Sequence, residues 1–230
     1  MNVSVTWYGH SNFQISCDGV SVLIDPFFTH NPSAPVTWNA AAKPDLVLVT
    51  HDHGDHVGDA VDICKATGAL CGCVVGTGER LVKAGLPESC LPAGMGFNIG
   101  GSIEVQGIRV TMTQAFHSSE SGVPTGFVVT MPGGFTVYHA GDTGLFSSME
   151  LIGSLYPLDL ALLPVGGFFT MDGLQAAHAA RLLRPKAVIP MHWGTFPVIA
   201  SDPSSFEEHL ASVAPGVRCV SMKPGDTVTF

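Results

Sequence analysis

Apolar and polar side chains alternate through the first part of the chain, a pattern typical of strands with one buried face. Three segments show it, at residues 3–7, 12–17 and 20–24. Asp18-Gly19 joins the second and third segments, and this dipeptide favours a tight hairpin turn. The pattern therefore predicts a β-rich opening that contains a hairpin.

A different pattern begins at residue 46, where an unbroken run of apolar or β-branched residues up to Thr50 predicts a buried strand. Apolar residues with helical spacing follow, and they end at Gly68, a residue suited to a helix C-cap. The chain then predicts a short strand at 69–75, a helix at 77–84 and a second β-rich block from about 97 to 138.

The final third predicts a βαβ unit, with strands at 160–165 and 186–190 around a helix near 173–183. Asp202-Pro203 predicts a further helix, with the aspartate as N-cap and the proline at the first helical position. Strands at 217–222 and 227–230 close the chain. A β-block followed by helices thus occurs twice, so we expect two similar halves packed sheet to sheet, with helices outside.

The composition fits a heavily buried globular protein. Of the 230 residues, 46% are hydrophobic and only 13% are charged, which predicts a large core rather than a disordered chain. We expect a single domain over residues 1–230. The formal net charge is −9, and Lys and Arg form no run. Because nucleic-acid binding requires a basic surface that neutralises phosphates, we expect no nucleic-acid partner.

Neither a leader pattern nor an apolar stretch of about 18 residues is visible in the sequence. We therefore expect a cytoplasmic protein without a membrane partner. The six cysteines lie mostly inside apolar strand or helix patterns. Without a secretory signal, such positions predict reduced core residues rather than disulfides.

The strongest chemical signal follows the predicted strand at 46–50 and consists of His51-Asp52-His53-Gly54-Asp55-His56. Imidazole nitrogens and carboxylate oxygens are preferred ligands of borderline divalent cations such as Zn²⁺. His51 and His53 have the same side-chain parity and can bind one ion together. Asp55 and His56 follow a glycine that permits a change of chain direction. The spacing therefore predicts a metal site, with the last two residues directed toward a second ion.

This H-x-H-x-D-H pattern after a strand resembles the signature of the metallo-β-lactamase-fold hydrolases. That family requires three further ligands, and candidates occur in the expected order beyond predicted strands: His117 in Ala115-Phe116-His117-Ser118-Ser119, Asp142 in His139-Ala140-Gly141-Asp142-Thr143, and His192 in Pro190-Met191-His192-Trp193-Gly194. Trp7-Tyr8-Gly9-His10-Ser11 and Leu23-Ile24-Asp25-Pro26-Phe27 extend the resemblance to nearly the whole chain. These segments are similar to the metal-dependent hydrolase branch that is related to the ascorbate-6-phosphate lactonases.

The resemblance implies an α/β (α+β) fold, namely the four-layer αββα sandwich of the metallo-β-lactamase type. It also implies two cation sites that share one carboxylate: His51, His53 and His117 for the first, Asp55, His56 and His192 for the second, and Asp142 between them. Asp142 and Asp55 are the expected catalytic carboxylates. The cofactors we expect are two divalent ions per chain, Zn²⁺ first, with Mn²⁺, Fe²⁺ or Ni²⁺ as alternatives.

Three polar residues near these segments have two interpretations each. His10 either lines the opening of the site or belongs to a surface turn. Asp25 either accepts a hydrogen bond from a ligand histidine or forms a turn with the proline that follows it. Asp59 has the same two interpretations as Asp25.

Three further candidates lie later in the chain. His139 is expected to pack against or support a ligand rather than to bind metal itself. The segment 166–173, which contains Thr170, forms either an anion-binding turn or a structural one. Trp193 either borders the substrate or belongs to the core.

We therefore expect a hydrolase in which two ions hold a hydroxide that attacks an ester, lactone or related bond of a small molecule. The alternatives are a phosphodiesterase for a small or lipid-like substrate, a redox protein of the same fold (diiron or persulfide-dioxygenase type), and a metal-binding protein without turnover. His53 argues against the diiron type, in which a carboxylate replaces the second histidine of the motif. A homo-oligomer is compatible with the sequence.

Overall fold

The strands of the protein form two sheets in the structure, a computed structural model that describes residues 2–230. Only Met1 of the predicted domain lies outside the described residues. In chain order the strands are β1 (Val3–Trp7), β2 (Phe13–Cys17), β3 (Val20–Ile24), β4 (Leu46–Leu48), β5 (Leu70–Gly72), β6 (Ser102–Val105), β7 (Ile108–Gln114), β8 (Thr125–Thr130), β9 (Thr136–His139), β10 (Leu160–Pro164), β11 (Ala187–Met191), β12 (Arg218–Cys219) and β13 (Thr227–Thr229).

Each sheet joins an antiparallel block to a parallel one. The first sheet has the strand order β13-β1-β2-β3-β4-β5, and its pairs from β3 to β5 are parallel. The second has the order β12-β11-β10-β9-β8-β7-β6, and its pairs from β9 to β12 are parallel. The predicted hairpin is confirmed: Asp18 and Gly19 both have positive φ, +49° and +86°, as a two-residue type I′ turn requires.

Helices cover the outer face of each sheet. They are α1 (Gly54–Val57), α2 (Ala60–Thr67), α3 (Val75–Lys83), α4 (Met149–Leu155), α5 (Gly173–Leu183) and α6 (Ser204–Val213). Among residues 2–230, none of these helices combines the length and the apolar character that crossing a bilayer requires.

Three apolar clusters correspond to the contacts between four layers. The largest lies between the sheets and includes Val5 and Ile15 from the first and Phe127 and Ile189 from the second. A second cluster buries the alanine-rich face of α5, with α4 and α6, against the outer face of the second sheet. A third packs α2 and α3 on the first sheet. The four-layer αββα sandwich is thus confirmed, because each sheet is buried on both faces.

Two of the differences from the sequence-based expectation concern helices. Asp202 is not the N-cap of α6: the helix begins at Ser204, and Pro203 occupies the N-cap position. Asp202 Oδ1 instead accepts a hydrogen bond from the Ser204 N–H at 3.0 Å, which holds Pro203 in a turn just outside the helix. The second difference is α4, which the pattern did not predict. This helix has seven residues, and its Gly153 lies against the carbonyl of Leu183, where a Cβ would be only 2.2 Å from the oxygen.

Candidate metal centre

The predicted ligands lie just beyond the carboxyl ends of four strands, on loops and, for Asp55 and His56, in α1. The first histidine motif follows β4, His117 follows β7, Asp142 follows β9 and His192 follows β11. These strand ends meet at one edge of the two sheets, which is where α/β folds place their sites. The architecture explains why residues far apart in sequence converge here.

The side chains converge in three groups, each with ligand atoms within 4.8 Å of one another. Among the described residues these are His51, His53 and His117; His51, His56 and Asp142; and His10, Asp55, His56 and His192. Because His51 and His56 each belong to two of the groups, the three form one continuous cluster.

Asp142 lies at the centre of this cluster. Its Oδ1 is 3.4 Å from His56 Nε2, and its Oδ2 is 3.0 Å from His192 Nε2 and 3.6 Å from His117 Nε2. His117 belongs to the first predicted ligand set, and His56 and His192 belong to the second. Asp142 thus lies between the two sets.

A cavity of about 280 Å³ opens onto the cluster. It is lined by His53, Asp55, His117, Ser118, Asp142, Phe169 and His192. Members of both predicted ligand sets therefore face the same space, and a small molecule can reach them together.

Asp25 supports two of the predicted ligands from behind. Its Oδ2 lies 2.7 Å from His56 Nδ1 and accepts a hydrogen bond from Thr50 Oγ1 at 2.8 Å. The same hydroxyl lies 3.0 Å from His51 Nδ1. With Nδ1 engaged on both rings, the Nε2 atoms of His51 and His56 are left for the cluster. The interpretation of Asp25 as an acceptor for a ligand histidine thus agrees with the geometry.

His10 is fully buried beside Asp55. Its Nε2 lies 3.2 Å from Asp55 Oδ2, and its Nδ1 lies 3.0 Å from Thr195 Oγ1. Burial, followed by the nearby His192, lowers the pKa of His10 to about 4. A neutral ring that donates from Nε2 to the Asp55 carboxylate satisfies both nitrogens. His10 therefore belongs to the cluster rather than to a surface turn.

Two other candidates shape the loops without facing the ligands. Asp59 Oδ2 accepts hydrogen bonds from the N–H groups of Phe28 and Thr29, at 3.1 and 2.8 Å. His139 is buried, with Nε2 2.9 Å from Ser11 O and Nδ1 accepting from the Gly141 N–H at 3.1 Å. His139 thereby fixes the turn that leads into Asp142, in agreement with a supporting role.

Thr170 and Trp193 are not among the residues that line the cavity. Thr170 belongs to a turn in which its N–H donates to Gly167 O at 3.0 Å. The start of α5 is capped by its own Asp172, which accepts from the Gln175 N–H, so the geometry favours a structural turn over an anion site. The Trp193 ring packs against Trp7, with centroids 5.1 Å apart, and its N–H donates to Pro190 O.

Asp52 has a role that the sequence did not reveal. Its buried carboxylate accepts hydrogen bonds from the backbone N–H groups of Glu120 and Ser121, at 2.8 and 2.7 Å, and from the hydroxyls of Ser119 and Ser121. Arg80 Nη1 lies 3.1 Å from Asp52 Oδ2. Burial alone would raise the pKa of Asp52, but these hydrogen bonds lower it to about 2. Asp52 thus ties the first histidine motif to the loop after His117.

Electrostatics keep the central carboxylate ionised. Burial alone would raise the pKa of Asp142, but His192 and His56 hold it well below its usual value. Burial alone would lower the pKa of His56, but the charges of Asp142 and Asp25 raise it well above the ordinary range. The two carboxylates therefore favour positive charge at the centre of the cluster.

Three of these residues adopt a left-handed backbone conformation, which is uncommon for residues with a side chain. The φ angles are +55° for His10, +48° for Asp25 and +60° for His192. Such conformations persist only where the surroundings enforce them, and they concentrate at functional sites. Here a main-chain bond from the His192 N–H to His10 O, at 3.1 Å, joins two of the three.

The donor set fits divalent cations. His56 Nε2 and Asp142 Oδ1 are buried and face each other at 3.4 Å without a hydrogen bond, and unbonded buried polar atoms are rare. His51 Nε2 and His53 Nδ1 approach to 2.9 Å, where two lone pairs would repel each other unless a proton or a cation lies between them. Imidazole nitrogen and carboxylate oxygen without thiolate suit Zn²⁺, Mn²⁺, Fe²⁺ or Ni²⁺.

Comparison with known proteins places the chain in a family. The family model for the β-lactamase superfamily domain matches residues 21–193. A UPF0173 metal-dependent hydrolase from Nitratidesulfovibrio vulgaris (strain DP4) is 64% identical over 230 residues, which are 100% of this chain and 96% of the relative. A second UPF0173 metal-dependent hydrolase, from Pyrobaculum islandicum, is 48% identical, and the match covers 98% of this chain and 99% of that relative.

The structural comparison agrees. Igni18, a metallo hydrolase from the hyperthermophilic archaeon Ignicoccus hospitalis, superimposes with a TM-score of 0.89 at 43% identity. The match covers 100% of this chain and 99% of Igni18. The chain therefore belongs to the β-lactamase superfamily and, within it, to the UPF0173 family of metal-dependent hydrolases.

Proposed function

We propose that this protein is a dinuclear hydrolase that cleaves an ester or lactone bond in a small molecule. The observation that supports it is the position of Asp142, whose two oxygens face imidazoles of both predicted ligand sets within 3.6 Å. One carboxylate placed between two sets of nitrogen ligands is suited to a pair of cations rather than to a single one.

The residues that would hold the ions are those of the cluster. His51, His53 and His117 would hold one ion and Asp55, His56 and His192 the other, and Asp142 would contact both. Zn²⁺ is the first candidate and Mn²⁺ the second. Bound divalent ions would supply Lewis acidity and would favour the ionisation of a water molecule near neutral pH.

The chain's own residues hold and orient these groups. Asp25 and Thr50 engage Nδ1 of two imidazoles, so that the other ring nitrogen points inward. Asp142 is ionised at neutral pH because its pKa is strongly lowered. We assign to it the transient acceptance of a proton at the reacting centre, because it is the carboxylate that lies between the two predicted ligand sets. Asp55, held by His10 at 3.2 Å, lines the cavity at the same centre and is the second catalytic carboxylate.

The cavity supports a small substrate with little charge. At about 280 Å³ it fits a small molecule or one end of a larger one. Its lining residues include no lysine or arginine. The cavity therefore offers no positively charged side chain of these types that could bind a polyanion. An ester or lactone meets these conditions better than a phosphodiester of a nucleic acid.

The test is a substrate panel with the metal-reconstituted protein. Protein stripped by chelation is reloaded with Zn²⁺ or Mn²⁺ and offered lactones, p-nitrophenyl esters, thioesters and bis-p-nitrophenyl phosphate. We expect ester or lactone turnover that disappears on chelation and returns with metal. Exclusive turnover of the phosphodiester would contradict the proposed bond type, and turnover that survives exhaustive chelation would contradict the metal dependence.

A further inference from the structure

Two phenylalanines beside the cavity are unusually exposed. Phe168 has 72% and Phe169 has 53% of its surface accessible, and their rings form an edge-to-face pair with centroids 4.8 Å apart. We call this pair the aromatic shelf. Single exposed apolar residues are common on protein surfaces, but a paired aromatic surface next to a site indicates a surface that binds something.

The aromatic shelf is carried by a loop that is rigidly held. The Gly167 N–H donates to Met171 O, and the Thr170 N–H donates to Gly167 O, both at 3.0 Å. The Met171 N–H in turn donates to the carbonyl of Thr143 at 3.1 Å. Since Thr143 directly follows Asp142, the shelf has a fixed position relative to the shared carboxylate. A pre-positioned surface loses little conformational entropy when it binds a ligand.

A second loop with an exposed aromatic residue is attached to the same threonine. Phe116, 61% exposed, donates its N–H to Thr143 Oγ1 at 3.0 Å and packs on Phe146. The next residue, His117, lines the cavity. Apolar side chains are thus presented on both loops that Thr143 holds.

The shelf is continuous with the reacting centre. Phe169 lines the same cavity as Asp142 and His192, so one molecule can contact the shelf and the predicted ligands at the same time. The absence of lysine and arginine from this lining leaves no fixed positive side chain for a charged substituent. The occupant that matches this surface is an uncharged apolar group.

We propose that the aromatic shelf binds an uncharged apolar substituent of the substrate, an aryl ring or an alkyl chain, attached close to the bond that is cleaved. This inference rests on the proposed function, because it takes the cavity to be the place where an ester or lactone is held. It narrows that function to substrates with an apolar side next to the electrophilic carbonyl.

The test compares binding of octanoate and acetate to the metal-loaded protein by titration calorimetry. Both carboxylates can reach the centre, but only octanoate is long enough to cover the shelf as well. We expect octanoate to bind at least about tenfold more tightly than acetate. In the double variant Phe168→Ala with Phe169→Ala this preference should fall roughly tenfold, whereas Phe169→Leu should keep most of it.

Leu155→Ala is the matched control, since Leu155 is 71% exposed, lies on α4 and is not among the cavity residues. The octanoate preference should be the same in this variant as in the wild type. Thermal melts of all variants establish that the fold is retained.

Several outcomes would overturn the proposal. An octanoate preference that is unchanged in the double variant would show that the shelf does not contact the ligand. Self-association of the wild type and its binding to neutral phosphatidylcholine vesicles are measured as well. If the double variant loses either property but keeps the octanoate preference, the shelf binds a second copy or a lipid surface instead. The binding experiment needs no turnover. If the double variant loses the octanoate preference but the protein cleaves no ester, the shelf proposal stands and only the proposed bond type is contradicted.

Discussion

Asp25 Oδ2 and His56 Nδ1 are 2.7 Å apart, and both side chains are fully buried. The same carboxylate accepts hydrogen bonds from the backbone N–H and the hydroxyl of Thr50, each at 2.8 Å. Asp25 therefore fixes the orientation of one predicted ligand directly and of His51 through a hydroxyl. Asp25 thus holds two predicted ligands in position without itself lining the cavity.

Replacing Asp25 with asparagine should weaken metal binding by roughly 10- to 100-fold, because an amide cannot hold the His56 ring as a carboxylate does. Competition with a chromogenic chelator measures the affinity. Asp45→Asn is the matched control, since Asp45 also accepts a backbone N–H, from Ser21 at 2.8 Å, but is not part of the ligand cluster. Equal affinities in wild type and Asp25→Asn would contradict the supporting role.

Two divalent ions per chain should be found after reconstitution, because Asp142 lies within 3.6 Å of imidazoles from both predicted ligand sets. His117→Ala should weaken one site and His192→Ala the other, so each variant should retain about one tightly held ion per chain. Elemental analysis after gel filtration counts the ions. Saturation of the wild type at a single ion would defeat the dinuclear arrangement.

Asp142→Ala should lower kcat/KM by roughly three orders of magnitude or more, since the shared ligand and a proton acceptor are lost together. His178→Ala should leave kcat/KM within a few-fold, as expected for a helix residue outside the cluster. The comparison uses whichever substrate the panel identifies. Similar losses in the two variants would show that the centre lies elsewhere.

Asp52→Asn should destabilise the metal-free protein by roughly 2–3 kcal/mol, because the amide nitrogen would face hydrogen-bond donors of the 119–121 loop that now meet a buried carboxylate. Urea unfolding in the presence of a chelator measures the free energy of unfolding. Glu120→Gln is the control: this exposed partner of Arg80 should contribute less than about 0.5 kcal/mol.

The stability difference between the wild type and Asp52→Asn should also depend on pH. The pKa of Asp52 is lowered from 3.8 to about 2 in the folded state. A carboxyl with a lowered folded-state pKa stabilises the fold fully above its unfolded value, and this contribution is lost as the pH falls through the folded value. The difference in unfolding free energy between wild type and Asp52→Asn should therefore be constant above about pH 5 and shrink toward pH 2. A difference that grows on acidification would contradict this assignment.

Much of the site was predictable because its ligands follow strands with strong local signals. The strands before His51, Asp142 and His192 are all buried, and each ends one to three residues before the predicted ligand. Asp52 could not be assigned in the same way, since its partners lie 67–69 residues away in sequence. The one local signal that could have separated Asp52 from the ligands is its parity, opposite to that of His51 and His53.

The remaining differences have similar causes. Helix α4 has only two buried residues, Met149 and Ile152, too few to produce a clear periodic pattern. Trp193 follows a ligand directly, but its ring is placed by Trp7 from the other end of the chain. Contacts of this kind depend on tertiary packing, which the local pattern does not record.

The main-chain bond between His192 and His10 joins the last predicted ligand to the first strand–loop junction of the chain. During synthesis, His51 leaves the ribosome about 140 residues before His192, an interval of roughly 7 to 30 seconds at ordinary elongation rates. The nascent chain thus exposes an incomplete set of imidazoles well before Asp142 and His192 exist to complete it. Cation binding by the complete predicted set can therefore begin only after His192 has been synthesised. A chain truncated before Asp142 would carry the first histidine motif without the later predicted ligands.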